Sequence, residues 1–276
     1  MTCSNQGQLN LVPSGTQASD CCGQGCSPCV LDLYEQELKS WRRTCELIER
    51  GIGPDSVPPG EMSPEYYISC ILREIRDETP TCRAFKFDLP RGRALEARPG
   101  QHLVLKLISQ TESFTRQYTI LPPPLHFEEG KGPTAATSFD VLIKLYGDGR
   151  ASEHIREWRV GQEALWRGPF GSFSYARNSS KFLVVLAVGT GTLPMVPAVE
   201  SVLSDGEDET RVDVLLGFRS IADFLLGERW RDIAGAQFNS FVEISTDFST
   251  EFSVLQGVPH YYKTLLKTLL RFQQSY

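Results

Sequence analysis

Four short runs in this chain carry side chains that can do chemistry together. Arg116, Tyr118 and Thr119 stand in an extended stretch, Arg-Gln-Tyr-Thr, where the two-residue period puts Arg116 and Tyr118 on one side and Thr119 on the other. An arginine offers a bidentate fork for a diphosphate, and a tyrosine offers a flat face for a ring system. Further on, Lys144 and Tyr146 close an apolar run, and Gly149, Arg150, Ala151 and Ser152 then enter a helix. A helix start can hold a phosphate through its free amides. Residues 181 to 203 read as an apolar strand, a turn at Gly189, Thr190 and Gly191, and a helix; the two glycines allow a ligand close to the backbone. Taken singly, each run has an ordinary reading too. Any strand can carry such a trio, Lys144 and Tyr146 suit strand ends facing solvent, and a Gly-x-Gly can be a plain strand-to-helix turn. No Ser-His-Asp triad or carboxylate pair emerges, and the four histidines, at 102, 126, 154 and 260, have no metal-ligand spacing. No catalytic side chain or metal ligand is therefore assigned.

The elements that must hold these runs fall into three regions. From Tyr66, short alternating runs divided by turn residues predict about six strands: YYISCILREI, CRAFKFDL, QHLVLKLI, RQYTIL, DVLIKLY and, after a short helix, EALWRG with GSFSY. These suit a small antiparallel barrel. The insert at 122–138 is polar and rich in Pro and Gly, which suits a surface loop. KFLVVLAV, RVDVLLGF and FVEIS then alternate with helical patterns, as in a parallel α/β domain. Ahead of the barrel, Cys21, Cys22, Cys26 and Cys29 crowd a Gly-containing turn, and Ser27 and Pro28 form a helix start for residues 29–50. Val30, Tyr34, Leu38, Trp41, Cys45 and Ile48 recur at helical intervals. Four thiolates can bind a metal or react as redox groups, or the sulfurs stay reduced in a short cap. Residues 51–64 have linker composition. The expected organisation is 1–64, a cysteine-rich module, helix and linker; 65–177, a β-barrel; and 178–276, an α/β domain. The expected fold class is mixed β and α/β, with an antiparallel β-barrel followed by a parallel α/β domain.

The chain has 276 residues, enough for two modest cores, and its net charge of −6 argues against a nucleic-acid binder, which needs a phosphate-neutralising surface. No run approaches the ~20 apolar residues of a transmembrane helix. Lys39 is the sole basic residue of the first forty, unlike a signal or transit peptide, so a cytoplasmic location is expected. A reducing cytosol makes a disulfide framework among the eight cysteines unexpected.

Taken in order, RQYT, IKLY, GRAS, RGPFGSF and the Gly-Thr-Gly turn closely resemble the NADH-cytochrome b5 reductases of the ferredoxin-reductase-like superfamily, from about Tyr66 to the neighbourhood of Phe248. The resemblance implies FAD in the barrel, with Arg116 on its diphosphate, Tyr118 and Thr119 on the flavin, and the backbone of Gly149, Arg150, Ala151 and Ser152 binding it at the helix start. It places Lys144 by the nicotinamide, with Tyr146 beside it, and NADH at Gly189, Thr190 and Gly191. Arg219 falls near the expected adenosine ribose and can take a 2′-phosphate, which leaves NADPH open beside NADH. The implied function is an FAD-dependent reductase that takes a hydride from NADH and passes electrons to a haem protein such as cytochrome b5, with Arg73, Arg76, Arg91, Arg93 and Arg98 as candidates for the acceptor face. The chain departs from the pattern at Ile120 and Leu121, where the family has proline and serine, at Val188 for a glycine, and at Leu193 for a threonine. A strand ending in Cys-Gly-Pro/Ser-x-x-Met is missing too. An amphipathic HYYKTLLKTLLRFQQSY takes its place and suits a domain cap, a partner-docking helix or a membrane-surface helix. Hence an alternative: a non-catalytic flavin-binding or interaction protein with an incomplete nucleotide half. Residues 20–50 separately resemble the oxidoreductase-like N-terminal module.

Overall fold

The structure, a computed structural model, describes residues 2–5, 8–11, 30–50, 60–109, 113–121, 136–237 and 241–245. Two short strands, β1 (Thr2–Asn5) and β2 (Gln8–Leu11), pair antiparallel. The helix expected over 29–50 is α1 (Val30–Glu49). Next comes β3 (Gly60–Glu61), which pairs with β6 (Arg93–Ala94), and Met62 is buried in the sheet core. The last residues of the expected linker are thus built into the sheet unit. That unit's main strands are β4 (Ile68–Thr79), β5 (Cys82–Asp88), β7 (His102–Ile108), β8 (Ser113–Thr119) and β9 (Ser138–Lys144), followed by α2 (Arg150–Arg156) and β10 (Glu163–Phe170). They form one antiparallel sheet in the order β8-β7-β10-β4-β5-β9. The sheet curls until its ends meet, where the Leu121 N–H donates to the Asp140 carbonyl at 2.9 Å. GSFSY is not a strand: Gly168 and Gly171 have φ of +141° and +116°, backbone that breaks a ladder just where β10 ends.

Period two explains the core within the curl. Ile68, Cys70 and Leu72 of β4 point inward, as do Phe85 and Phe87 of β5 and Phe139, Val141 and Ile143 of β9. Trp166 of β10 sits among them, with ring centroids 5.1 Å from Phe87 and 5.4 Å from Phe139.

The second unit is a parallel sheet, β11 (Phe182–Val188), β12 (Arg211–Phe218) and β13 (Phe241–Ser245), in that order. Helices α3 (Met195–Leu203) and α4 (Gly227–Gln237) pack together, joined by a buried pair in which Arg229 donates twice to Glu200, 2.5 Å each. The run GERWRDIAGAQ between the second and third strands forms α4, with Trp230 and Ile233 buried in the core.

The outward residues Cys82, Ala84, Leu121 and Leu142 of the curled sheet share one apolar cluster with Val185, Ala187, Leu193, Val196 and Val199 of the parallel unit. Strands β5 and β9 are therefore covered on both faces, which is why DVLIKLY reads as an almost continuous apolar run. Polar bonds add to the joint: the Thr81 hydroxyl donates to Asp223 at 2.9 Å, and Glu78 accepts the Leu226 N–H at 3.1 Å. Against expectation, Cys45 is disulfide-bonded, whereas Cys70 and Cys82 are free and buried. Cys21, Cys22, Cys26, Cys29 and residues 246–276 lie outside the described residues. Among the described residues no helix is long and apolar enough to cross a membrane.

Candidate functional site

On β8, Phe114 is buried, Arg116 is exposed, and Tyr118 and Thr119 are half-buried. Phe114 is the organising ring. Arg116 lies 5.1 Å from its centroid, and Arg150, at the start of α2, lies 4.0 Å from it. Two guanidinium groups from separate motifs are thus gathered around one ring, beside the first turn of a helix whose leading amides have no acceptor within the helix. Arg116 also donates to the Thr115 carbonyl at 2.7 Å, which steadies its side chain without neutralising it. Two cations and a helix start form a donor set for a diphosphate.

Tyr118 meets Trp166 edge-on, centroids 6.0 Å apart. Burial pushes its phenol up to about 12, the nearby Arg116 charge opposing and Tyr146 adding to the rise. It remains a neutral donor at any physiological pH. Past the end of β9, Tyr146 is 54% exposed, with the Lys144 ammonium 5.6 Å from its ring centroid. Tyr118 and Tyr146 therefore present one half-buried and one open aromatic face in the same neighbourhood, suited to a flat ring.

The turn linking Tyr146 to α2 is fixed from inside. The Ser152 hydroxyl accepts the Tyr146 N–H at 2.9 Å, and Arg156 donates to the carbonyls of Tyr146 and Gly147. Only 3% exposed, Ser152 thus spends its hydroxyl on the turn and has only backbone to offer a ligand. A Cβ at Gly149 would come within 3.0 Å of that hydroxyl and 3.1 Å of the Tyr146 Cβ, so the turn leaves little room for a larger residue. Ala151 packs against the sheet core.

The Gly189–Thr192 turn is a single 3-10 turn that touches β9. Gly189 has φ +53°, which disfavours any other residue, and its carbonyl accepts the Thr192 hydroxyl at 2.8 Å. A Cβ at Gly191 would meet nothing within 4 Å, so the exposed Gly191, next to the half-buried Thr190, borders open space. This is a fit for a dinucleotide lying against the chain. Gly100, just before β7, comes near Pro194 at the head of α3. The Arg-Gln-Tyr-Thr strand and the glycine turn are therefore on elements that meet through β9 and the shared cluster.

Two departures from the family pattern have a common cause. Leu121 and Leu193 stand where hydroxyl residues were expected, and both are buried in the cluster between the two units. Each apolar residue there contributes ~1.5–3 kcal/mol by leaving water. Ile120 faces the other way, into the sheet core. Of the five arginines considered for an acceptor face, Arg93 is only 8% exposed and lies 6.0 Å from the Tyr66 ring, so it is no part of such a surface. Arg73 pairs with Asp88, and Arg76 with Glu74. Arg91 and Arg98 are exposed. Sequence reasoning missed Phe114, Trp166 and Arg156; the sole signal for them was an aromatic or arginine at a period-two or helical offset from a motif. A separate cavity of about 450 Å3 lies at the β4–β5 hairpin, lined by Asp77, Glu78, Arg83, Leu145 and Arg156; its carboxylates suit an anionic ligand poorly.

Residues 69–175 match the oxidoreductase FAD-binding domain family, and residues 12–50 match the N-terminal domain of oxidoreductase-like proteins. A mouse protein named NADH-cytochrome b5 reductase-like is 37% identical over 224 residues, 79% of this chain and 68% of its own length. Its human namesake is 38% identical over 222 residues, 79% and 67% respectively. Among solved structures, the CS-b5R domains of human Ncb5or in the NAD+ form superpose with a TM-score of 0.60 at 23% identity, covering 74% of this chain and 58% of that one. This last likeness concerns the fold.

Proposed function

The chain belongs to the NADH-cytochrome b5 reductase-like family, and from that premise we propose that it is an NADH-dependent flavoprotein reductase that holds FAD on the β8 face and hands electrons to a haem protein of the cytochrome b5 kind. When bound, FAD would accept a hydride from NADH and release electrons to the acceptor; the protein's part is to hold and shield the two ring systems. Arg116 and Arg150 bind the diphosphate, helped by the backbone amides of Gly149, Arg150, Ala151 and Ser152. Tyr118 donates its hydroxyl to the ring it faces, and Thr119 stands next to it. Lys144 and Tyr146 border the place of the nicotinamide. Gly189, Thr190 and Gly191 admit the dinucleotide to the backbone. The apolar joint of Leu121, Leu142 and Leu193 keeps water from entering between the units, and such exclusion favours direct transfer between positioned rings.

The observation that carries this reading is the gathering of Arg116 and Arg150 around Phe114, beside a helix start and the half-buried Tyr118. Family membership, together with a glycine turn whose φ of +53° and open flank suit a dinucleotide, favours catalysis over a purely flavin-binding role. NADH is the favoured donor on the names of the relatives. The acceptor is tested by NADH-driven turnover of the purified full chain with cytochrome b5 and, separately, with ferricyanide. Reduction of both supports a haem acceptor; reduction of ferricyanide alone removes cytochrome b5 from the account.

A further inference from the structure

The N-terminal helix is joined to the curled sheet by a buried charged cluster that the proposed reaction does not use. Glu37 of α1 and Arg167 of β10 are 6% and 5% exposed. Arg167 donates to Glu37 through one terminal nitrogen and to the Pro64 carbonyl at 2.8 Å through the other. The Tyr67 hydroxyl donates to both carboxylate oxygens of Glu37, at 3.0 and 2.9 Å. Burial, with the Glu37 charge, drives the Tyr67 phenol far above its ordinary value, so it is always a donor. The Arg167 guanidinium lies 5.3 Å from the Tyr67 ring centroid and 5.0 Å from that of Phe170, and the Lys106 ammonium lies 5.4 Å from the Tyr67 ring. One carboxylate, two cations and a phenol are thus shut between helix and sheet. At the rim, Arg43 pairs with Glu65 at 3.0 Å in solvent.

What lies on the other side of β10 gives the cluster a use. Trp166, adjacent to Arg167, turns inward and meets Tyr118 edge-on. The same stretch of β10 is in register with β7, Trp166 opposite Leu105 and Arg167 opposite Val104, while on its other edge β7 sets Leu105 opposite Arg116 and Leu103 opposite Tyr118. Gly168 comes so close to Leu103 that a Cβ would lie 2.7 Å from its Cδ2. The Gly168 N–H donates outward to the Ser63 carbonyl at 3.1 Å. This piece of strand is therefore gripped by Glu37, Ser63 and Pro64 outside and pressed against the neighbours of Tyr118 inside.

We propose that α1 is a positioning element of the flavin site: Glu37, through Arg167 and Tyr67, fixes the β10 segment that backs Tyr118, so that docking of the N-terminal helix and binding of FAD strengthen each other. This rests on the reading that FAD lies on the Tyr118 face. It assigns the oxidoreductase-like segment a role within the reductase unit. Packed elements with two discrete arrangements couple distant sites, and such coupling is reciprocal.

The test uses the full chain stripped of flavin. FAD dissociation constants are measured by quenching of flavin fluorescence, and amide hydrogen exchange over residues 30–49 is followed with and without FAD. The unaltered chain shows slower exchange in α1 when FAD is bound. Glu37→Gln weakens FAD binding at least about fivefold, the lower end of ordinary coupling, and abolishes the added protection, whereas Arg43→Ala, which breaks only the exposed pair, changes neither. On a Tyr118→Leu background, which removes the ring that β10 backs, Glu37→Gln has less than half its former effect. Should Glu37→Gln not fold, as judged by circular dichroism, Tyr67→Phe replaces it, since that change keeps the ion pair and removes one hydroxyl. Equal FAD affinity in wild type and variant, or unchanged α1 exchange on FAD binding, overturns the proposal and leaves the flavin reading standing. An unaltered chain that binds no FAD overturns both.

Discussion

The two glycines of the Gly-Thr-Gly turn separate fold from binding. Gly189 sits at φ +53°, and its carbonyl accepts the Thr192 hydroxyl. An alanine there must either stay in left-handed backbone, at ~1–2 kcal/mol, or rotate out of it and forfeit a hydrogen bond worth about 1 kcal/mol. Gly189→Ala therefore lowers unfolding free energy by ~1–2 kcal/mol on either path. Gly191 is different. Its φ is not positive, and an added Cβ meets no atom within 4 Å. Gly191→Ala should leave stability unchanged or raise it by ~0.4–1 kcal/mol, because alanine narrows the unfolded ensemble. The same methyl projects into the space assigned to NADH, where loss of close backbone approach is expected to cost about 1.4 kcal/mol, a tenfold weaker dissociation constant. Urea unfolding gives the first quantity and titration of the FAD-loaded chain with NAD+ the second. A Gly191→Ala protein that loses stability would mean the flank is occupied by protein; one that binds the nucleotide as well as wild type would mean the dinucleotide lies elsewhere.

Two further outcomes follow from the geometry. Arg116→Leu and Arg150→Leu should each weaken FAD binding, and because both guanidiniums serve one diphosphate over the same ring, the double variant should depart from additivity by more than ~0.5 kcal/mol in a double-mutant cycle of dissociation constants; strict additivity would place them on separate ligands. Burial depresses the His102 pKa below its ordinary value of 6.5, so between the two values the unfolded chain binds more protons than the folded one. Stability is then full above about 6.5 and falls as pH drops through that value towards the folded pKa; His102→Phe, which also preserves the stacking partner of Phe170, should flatten this part of a pH series of thermal melts, and an unchanged slope would assign it to other groups.

The strands were legible because burial on one face imposes alternation, as in Ile68, Cys70 and Leu72, and because Gly and Pro punctuate the turns. The convergence of motifs was legible only through their order, since nothing local in Arg150 says that it shares a ring with Arg116. What sequence reading misjudged was the surface between the units. Leu121 and Leu193 read as hydroxyls lost from a binding site, yet they are packing residues, and burial of this kind depends on partners remote in the chain. Ser152 and Arg93 show the same limit: a polar residue looks available until its neighbours claim it. The long apolar pattern announced α1, whereas its grip on Arg167, across 130 positions, could not be read from either residue.

Whether the two halves share one working cleft is tested most directly by anaerobic titration of the flavin-loaded full chain with NADH, following the oxidised flavin absorbance band. The account predicts bleaching at one equivalent of NADH per flavin, slowed or lost in Gly191→Ala. Bound flavin that keeps its oxidised spectrum in excess NADH would contradict it.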